Sequence, residues 1–92
     1  MNKKKWYKIE VYKSGDDTYH YIGTSEETLD LLSMNIKEGK FICLNDLLYF
    51  ERGVYKEWAE WDKSLEPTVL INPSSIVTLM QFKDDPRNIS NK

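Results

Sequence analysis

Two periodicities succeed one another along the chain. From Trp6 to Lys13 apolar residues alternate with polar ones: Tyr7, Ile9, Val11 and Lys13 share one parity, and Trp6, Lys8, Glu10 and Tyr12 share the other. Successive side chains of a strand point to opposite faces, so this stretch predicts a strand whose core face carries Tyr7, Ile9 and Val11. Ser14-Gly15-Asp16-Asp17 is a turn cluster, and Tyr19 to Gly23 reads as the return strand of a hairpin. The period then lengthens. Leu29, Leu32 and Ile36 recur at +3 and +7, with Leu31 widening the stripe. Thr24-Ser25-Glu26-Glu27 fits a capping box, with Thr24 as N-cap and Glu27 three residues on. A helix is therefore predicted over about residues 25–34, ending in a turn through Asn35 to Gly39.

Lys40 to Leu44 reads as a short buried strand, Asn45-Asp46 as a bulge or bend, Leu47 to Phe50 as its continuation, and Arg52-Gly53 as a turn. Residues 54–65 carry two signals. Val54, Trp58, Trp61 and Leu65 lie at helical spacing. Val54, Tyr55, Trp58 and Trp61 are also strand formers. The strand reading is preferred, because a chain turning at Asp62-Lys63-Ser64 would pair with a strand over Thr68 to Ile71. Glu66-Pro67 breaks the preceding element. Asn72-Pro73-Ser74-Ser75 is a tight turn, with Asn able to cap it and Pro suited to its first position. Ile76 to Phe82 is apolar on both faces, which predicts a central or sandwiched strand. Residues 83–92 lack a core pattern and read as a flexible C-terminal tail. The expected fold is α+β and mostly β. It is a single domain over residues 1–82, built as a small five- to six-stranded antiparallel sheet or an SH3/Sm-like barrel with one helix over residues 25–34.

Two stretches carry a resemblance. Gly39-Lys40-Phe41-Ile42-Cys43-Leu44-Asn45-Asp46 resembles the middle strand of Sm-like and SH3-like small barrels. Val69-Leu70-Ile71-Asn72-Pro73-Ser74-Ser75-Ile76-Val77-Thr78-Leu79 resembles their last two strands, joined by a very short turn. The chain departs from the Sm-like pattern by placing its helix after the first hairpin rather than before the first strand. The resemblance implies a fold, and no RNA-binding residue is carried over from it.

Length and composition narrow the function. Ninety-two residues, 40% apolar and 13% aromatic, suffice for one small core. A chain this size buries only roughly 60–65% of its unfolded surface. No apolar run reaches the ~18 residues of a membrane-spanning helix. The basic start Met1 to Lys5 leads into Trp6-Tyr7-Lys8-Ile9-Glu10 rather than an apolar signal segment, so a cytoplasmic protein without membrane contact is expected. The net charge of −2 conceals a basic head, with Lys3, Lys4, Lys5, Lys8 and Lys13 against Glu10, and a mostly acidic body. The Asn-, Lys- and Ile-rich style suggests an AT-rich coding sequence, as in accessory proteins of phages and mobile elements.

Catalytic chemistry is not legible. Cys43, the only cysteine, lies in an apolar run and reads as a buried filler. His20, the only histidine, reads as a surface strand residue, and one His with one Cys falls short of a zinc set. Gly15, Gly23, Gly39 and Gly53 are scattered among turns and element ends, and form no phosphate loop. No cofactor, metal or enzymatic activity is expected. The aromatic residues are the anomaly, being numerous for so small a core. They point to a non-catalytic accessory protein that docks on a protein partner, with Tyr55, Trp58 and Trp61 as one patch and Tyr19 and Tyr21 as a second. The alternatives are nucleic-acid binding through Lys3, Lys4, Lys5, Trp6 and Lys8, and self-assembly through exposed sheet edges.

Overall fold

The computed structural model describes residues 3–90, the side chains of Trp61, Ile89 and Ser90 excepted. Strands β1 (Lys5–Ser14) and β2 (Asp17–Ser25) form the expected hairpin around Gly15, which adopts a φ of 55°. Tyr7, Ile9 and Val11 are buried on one face of β1, as the parity requires. Helix α1 (Leu29–Lys37) follows, then β3 (Ile42–Glu51), β4 (Val54–Glu57), the single turn α2 (Trp58–Trp61), β5 (Val69–Ile71), a 3-10 turn (Pro73–Ser75), β6 (Ile76–Gln81) and α3 (Pro86–Ser90). The strands run β4-β3-β2-β1-β6 in one antiparallel sheet, and β5 pairs with the first half of β3. The chain passes from β5 on β3 to β6 on β1, and no hydrogen-bonded ladder closes the sheet among the described residues.

The helix starts four residues later than the capping-box reading places it. Thr24 and Ser25 stay in β2, held opposite Trp6 and Lys5. Thr28 is the N-cap, its hydroxyl accepting from the Leu31 N–H at 3.2 Å. Two threonine caps, Thr24 and Thr28, compete in the sequence, and strand pairing removes the first. Asn35 to Lys37 belong to the helix, which ends in a Schellman arrangement. Gly39 takes a φ of 77° and donates to the Ile36 carbonyl at 3.1 Å, while Lys40 donates to the Asn35 carbonyl at 2.9 Å. Leu32 is fully buried and Ile36 packs beside it, whereas Leu29 and Leu31 are exposed. Burial of Leu32 alone is worth about 1.5–3 kcal/mol.

Strand β3 is continuous but bulged. Asp46 has a φ of 51°, and the register to β2 slips by one residue between Ile22↔Leu48 and Thr24↔Asn45. Gly23 faces this bulge. An added Cβ there would lie 2.6 Å from the Asn45 carbonyl oxygen. The glycine therefore sits within β2 for close approach, rather than at an element end. The following loop is tied to the same bulge: Leu47 N–H donates to the Pro67 carbonyl at 3.0 Å, and the Thr68 hydroxyl to Asn45 Oδ1 at 3.0 Å.

Further expectations are revised. Residues 54–61 are neither one strand nor one helix, because β4 gives way to α2 at Trp58, and β4 pairs with β3 rather than with β5. Strand β6 lies at the sheet edge rather than its centre. Its two-faced apolar pattern arises from an irregularity: Val11 pairs with Ile76 and Glu10 with Thr78, so Val77 is an extra residue and the parity changes there. Cys43 is exposed, because β3 turns Ile42 and Leu44 inward and leaves Phe41 and Cys43 outside. The residues read as a loose tail are docked as far as they are described. Pro86 is buried, Arg87 bonds Asp85 at 2.6 Å, and α3 packs on β4. No helix among the described residues is long and apolar enough to cross a membrane.

Candidate functional site

The sheet register sorts the aromatic residues onto two faces. Opposed residues of an antiparallel pair share a face. Tyr19 and Tyr21 lie opposite Val11 and Ile9, hence on the main core face. On β3, Leu48 lies opposite Ile22 on the other face, so Leu47, Tyr49 and Glu51 return to the core face. The core itself, from Tyr7 to Ile71, lies on this face and includes Leu32 of α1. Toward the tip of the β1–β2 hairpin it gives way to an aromatic cleft.

The cleft has a structural cause. Strands β2 and β3 pair through Ile22↔Leu48 and Thr24↔Asn45. Beyond Ile22, among the described residues, Asp17 to Tyr21 pair with β1 alone and Tyr49 to Glu51 with β4 alone. A bulge sharpens local twist, and the β2–β3 ladder ends at Ile22↔Leu48, just past the bulge at Asp46. The opening is a cavity of about 330 Å³ lined by Tyr19 and Tyr49 from one face and by Thr18, His20, Ile22 and Phe50. Its lining residues come from β2 and β3 alone. A second cavity, about 270 Å³, is lined by Tyr19, Tyr49, Glu51 and Trp58. A third, about 340 Å³, is lined by Val11, Tyr12, Lys13, Tyr19, Tyr21 and Trp58. Tyr19 is common to all three.

Ring packing holds the cleft in shape. Tyr19 and Tyr21 meet edge to face at 5.0 Å and 70°, and Tyr49 and Trp58 meet at 6.4 Å and 82°. Tyr21 and Trp58 also pack on the core. Partial burial, and then the neighbouring Tyr21, raise the pKa of the Tyr19 phenol, so it stays a neutral donor at physiological pH. At the rim Lys56, opposite Tyr49, places its Nζ 3.0 Å from Glu51 Oε1. That carboxylate raises the Lys56 pKa.

The structure thus unites Tyr19 and Tyr21 with Trp58, which the sequence had assigned to separate patches. Tyr55 is elsewhere. It lies opposite Phe50 on the second face, with its ring 4.8 Å from Phe50 and 5.9 Å from Phe82. Trp61 ends α2, and its side chain lies outside the described residues. Sequence reasoning missed Tyr49, Glu51 and Tyr12. Tyr49 sits in the apolar run Leu47 to Phe50, which reads only as a continuing strand, and its shared parity with Glu51 was the available signal.

The basic candidates are dispersed. Lys4 pairs with Asp46 at 3.1 Å, and Lys5 Nζ lies 3.4 Å from the Lys3 carbonyl oxygen. Trp6 lies under the Arg87 guanidinium, whose Cζ is 5.1 Å from the ring centroid. Arg87 also binds Asp85 at 2.6 Å and Glu57 at 3.3 Å. Lys8 is half-buried on the face that carries Glu10. Glu10 accepts from the Thr78 hydroxyl at 3.1 Å and lies 3.9 Å from His20 Nε2. Its carboxyl is held below the ordinary range, first by Thr18 and then by Thr78. Among the described residues no group of three or more His, Cys, Asp or Glu side chains is placed to hold a metal ion.

The class that these observations define is a small, mostly β α+β protein with an open six-stranded antiparallel sheet and an aromatic cleft at one end. Comparison with known proteins finds no matching family model, no matching curated protein and no matching solved structure.

Proposed function

We propose that this protein is a non-catalytic binding module that captures an extended segment of a protein partner in the cleft around Tyr19. One observation carries the reading: three adjoining cavities share Tyr19 at the place where β2 and β3 stop pairing. Unpaired strand edges offer main-chain donors and acceptors to an extended peptide, and the rings beside them offer side-chain contacts. Tyrosine and tryptophan suit this use because they bring contact area at low entropic cost and keep a polar end. The fold is read with it as an incompletely closed small barrel of the Sm-like or SH3-like kind. The sharp 3-10 connection from β5 on β3 to β6 on β1 supports that reading.

The test is selection of a displayed random-peptide library on the wild-type protein, followed by measurement of the selected peptides against Tyr19→Ala. Tyr19 is over a third exposed, so its truncation leaves the core intact. Selected peptides should bind the variant about 10- to 100-fold more weakly, the range of an interface hot spot. Peptides that bind both proteins equally would refute the cleft as the site. Joint replacement of Trp58 and Trp61 is a poorer probe than the sequence suggests, because Trp58 packs on the core.

Self-assembly has an observation of its own. β6 is an edge strand whose Val77 and Met80 are exposed, and Leu70 on β5 is exposed nearby in the chain. Sedimentation over a concentration series tests it, a monomer throughout being the contrary result.

A further inference from the structure

We infer that the segment bound in the cleft presents a cationic side chain, lysine or arginine, to a cup formed by Tyr19, Tyr49, Trp58 and Glu51. This rests on the peptide-binding reading and adds the chemistry of the partner. The cup is the cavity of about 270 Å³, and its lining is three aromatic rings and one carboxylate. That volume suits one long side chain rather than a whole small-molecule ligand. The near-perpendicular meeting of Tyr49 and Trp58 makes a corner of two walls, and Tyr19, in contact with Tyr21 at 5.0 Å, supplies a third.

The residue types of this lining favour positive charge. Ring faces carry the negative side of an aromatic quadrupole and attract ammonium and guanidinium groups, increasingly so as water is excluded. Glu51 adds a full negative charge. A carboxylate from a partner would meet repulsion from Glu51. A neutral apolar side chain would gain the rings but add nothing for the carboxylate beyond its half-exposed bond to Lys56. A cation is the class for which no wall is adverse.

The protein already applies this chemistry to a cation of its own. Lys56 lies opposite Tyr49, and its ammonium rests 3.0 Å from Glu51. Both side chains are about half exposed, 42% for Lys56 and 53% for Glu51, so the pair is weakly held and exchangeable. A partner cation seated among three rings displaces it. Lys56 therefore acts as an internal competitor, and removing it strengthens binding.

The experiment titrates the full chain with short blocked peptides of glycines around one central residue, and follows the ring resonances of Tyr19, Tyr49 and Trp58 by NMR. The central residue is lysine, arginine, norleucine or glutamate. Norleucine keeps the aliphatic stem of lysine without the charge. Lysine and arginine peptides should shift these rings, with norleucine about 5- to 10-fold weaker and glutamate weaker still. Glu51→Gln should weaken the lysine peptide about 3- to 10-fold, and Lys56→Gln should tighten it about twofold or more. Both positions are exposed, so neither change threatens the fold. Equal binding of norleucine and lysine, or an unchanged lysine affinity in Glu51→Gln, overturns the cation assignment and leaves the peptide-binding reading standing. A lysine peptide that moves none of the three rings at millimolar concentration also overturns it. The display-selected peptides, through their dependence on Tyr19, decide separately whether the underlying reading falls as well.

Discussion

Replacing Gly23 with alanine asks how tightly the β3 bulge is pressed against β2. The glycine lies opposite Tyr7, whose side chain is fully buried. An ideal Cβ would stand 2.6 Å from the Asn45 carbonyl oxygen, 3.1 Å from Leu47 Cδ2 and 3.2 Å from Leu44 Cβ. The first contact is about 0.8 Å inside the 3.4 Å where ordinary contact begins. The obstructing atom is backbone, so no side-chain rotation relieves it. That backbone is anchored, since the Asn45 side chain accepts from Thr68 and Leu47 N–H is bonded to the Pro67 carbonyl. Overpacking typically costs about 1–3 kcal/mol, and a clash with anchored backbone belongs to the upper part of that range. For a domain of this size each kcal/mol lowers Tm by roughly 4–8 °C, so Gly23→Ala should melt roughly 10–20 °C below wild type. Far-UV circular dichroism melts and urea titrations measure this. Gly39→Ala is the control: nothing lies within 4 Å of its would-be Cβ, and φ is 77°. Its cost is conformational alone, about 1–2 kcal/mol. A Gly23→Ala melt that overlays the wild type, or a larger loss for Gly39→Ala, would refute the close-approach argument.

Other outcomes follow from single contacts. Tyr7→Phe removes the hydrogen bond that the buried phenol donates to the Glu27 carbonyl at 2.6 Å, and should cost about 1 kcal/mol in urea unfolding; an unchanged midpoint would contradict it. The Asp46 carboxyl is held below its ordinary pKa, first by the Thr24 hydroxyl and then by Lys4. It therefore contributes stability that is fully present above the unfolded value, about 3.9, and is lost as pH falls through the lower folded value. Asp46→Asn, which tolerates the φ of 51°, should lower stability at neutral pH and flatten its decline below about pH 4. An acid limb as steep as that of wild type would contradict it. Arg87→Ala removes the guanidinium above Trp6 and its bonds to Asp85 and Glu57, and should expose the indole to fluorescence quenching by iodide; unchanged quenching would show that Trp6 is covered by other means.

Local patterns were legible in this chain, and pairings between distant segments were not. The parity of Tyr7, Ile9 and Val11 names the core face of β1 because nothing interrupts it. The turn at Asn72 is equally local: Asn72 Oδ1 accepts from the Ser74 N–H at 3.0 Å and Pro73 follows the cap. By contrast, the choice between Thr24 and Thr28 as helix cap depends on whether Ser25 pairs with Lys5, a contact across the hairpin. The edge position of β6 was hidden by its extra residue at Val77, which makes both faces look apolar. The site divides in the same way. Tyr19, Tyr21 and Trp58 stand out as large rings in a short chain, but their convergence depends on the β2–β3 register and on the point where it ends. Tyr55, equally conspicuous in sequence, falls on the opposite face because it pairs with Phe50. Not every ring is absorbed by the interior: Tyr12, Phe41 and Phe50 are each more than half exposed.

The most direct test of the central claim maps where a display-selected peptide touches the labelled protein by NMR chemical-shift perturbation. The account predicts shifts concentrated at Tyr19, Tyr49, Glu51 and Trp58, and on those backbone amides of Thr18 to Tyr21 that point away from β1. Shifts confined to Leu70, Val77 and Met80, or to Lys3 through Lys8, with the Tyr19 ring unmoved, would contradict it.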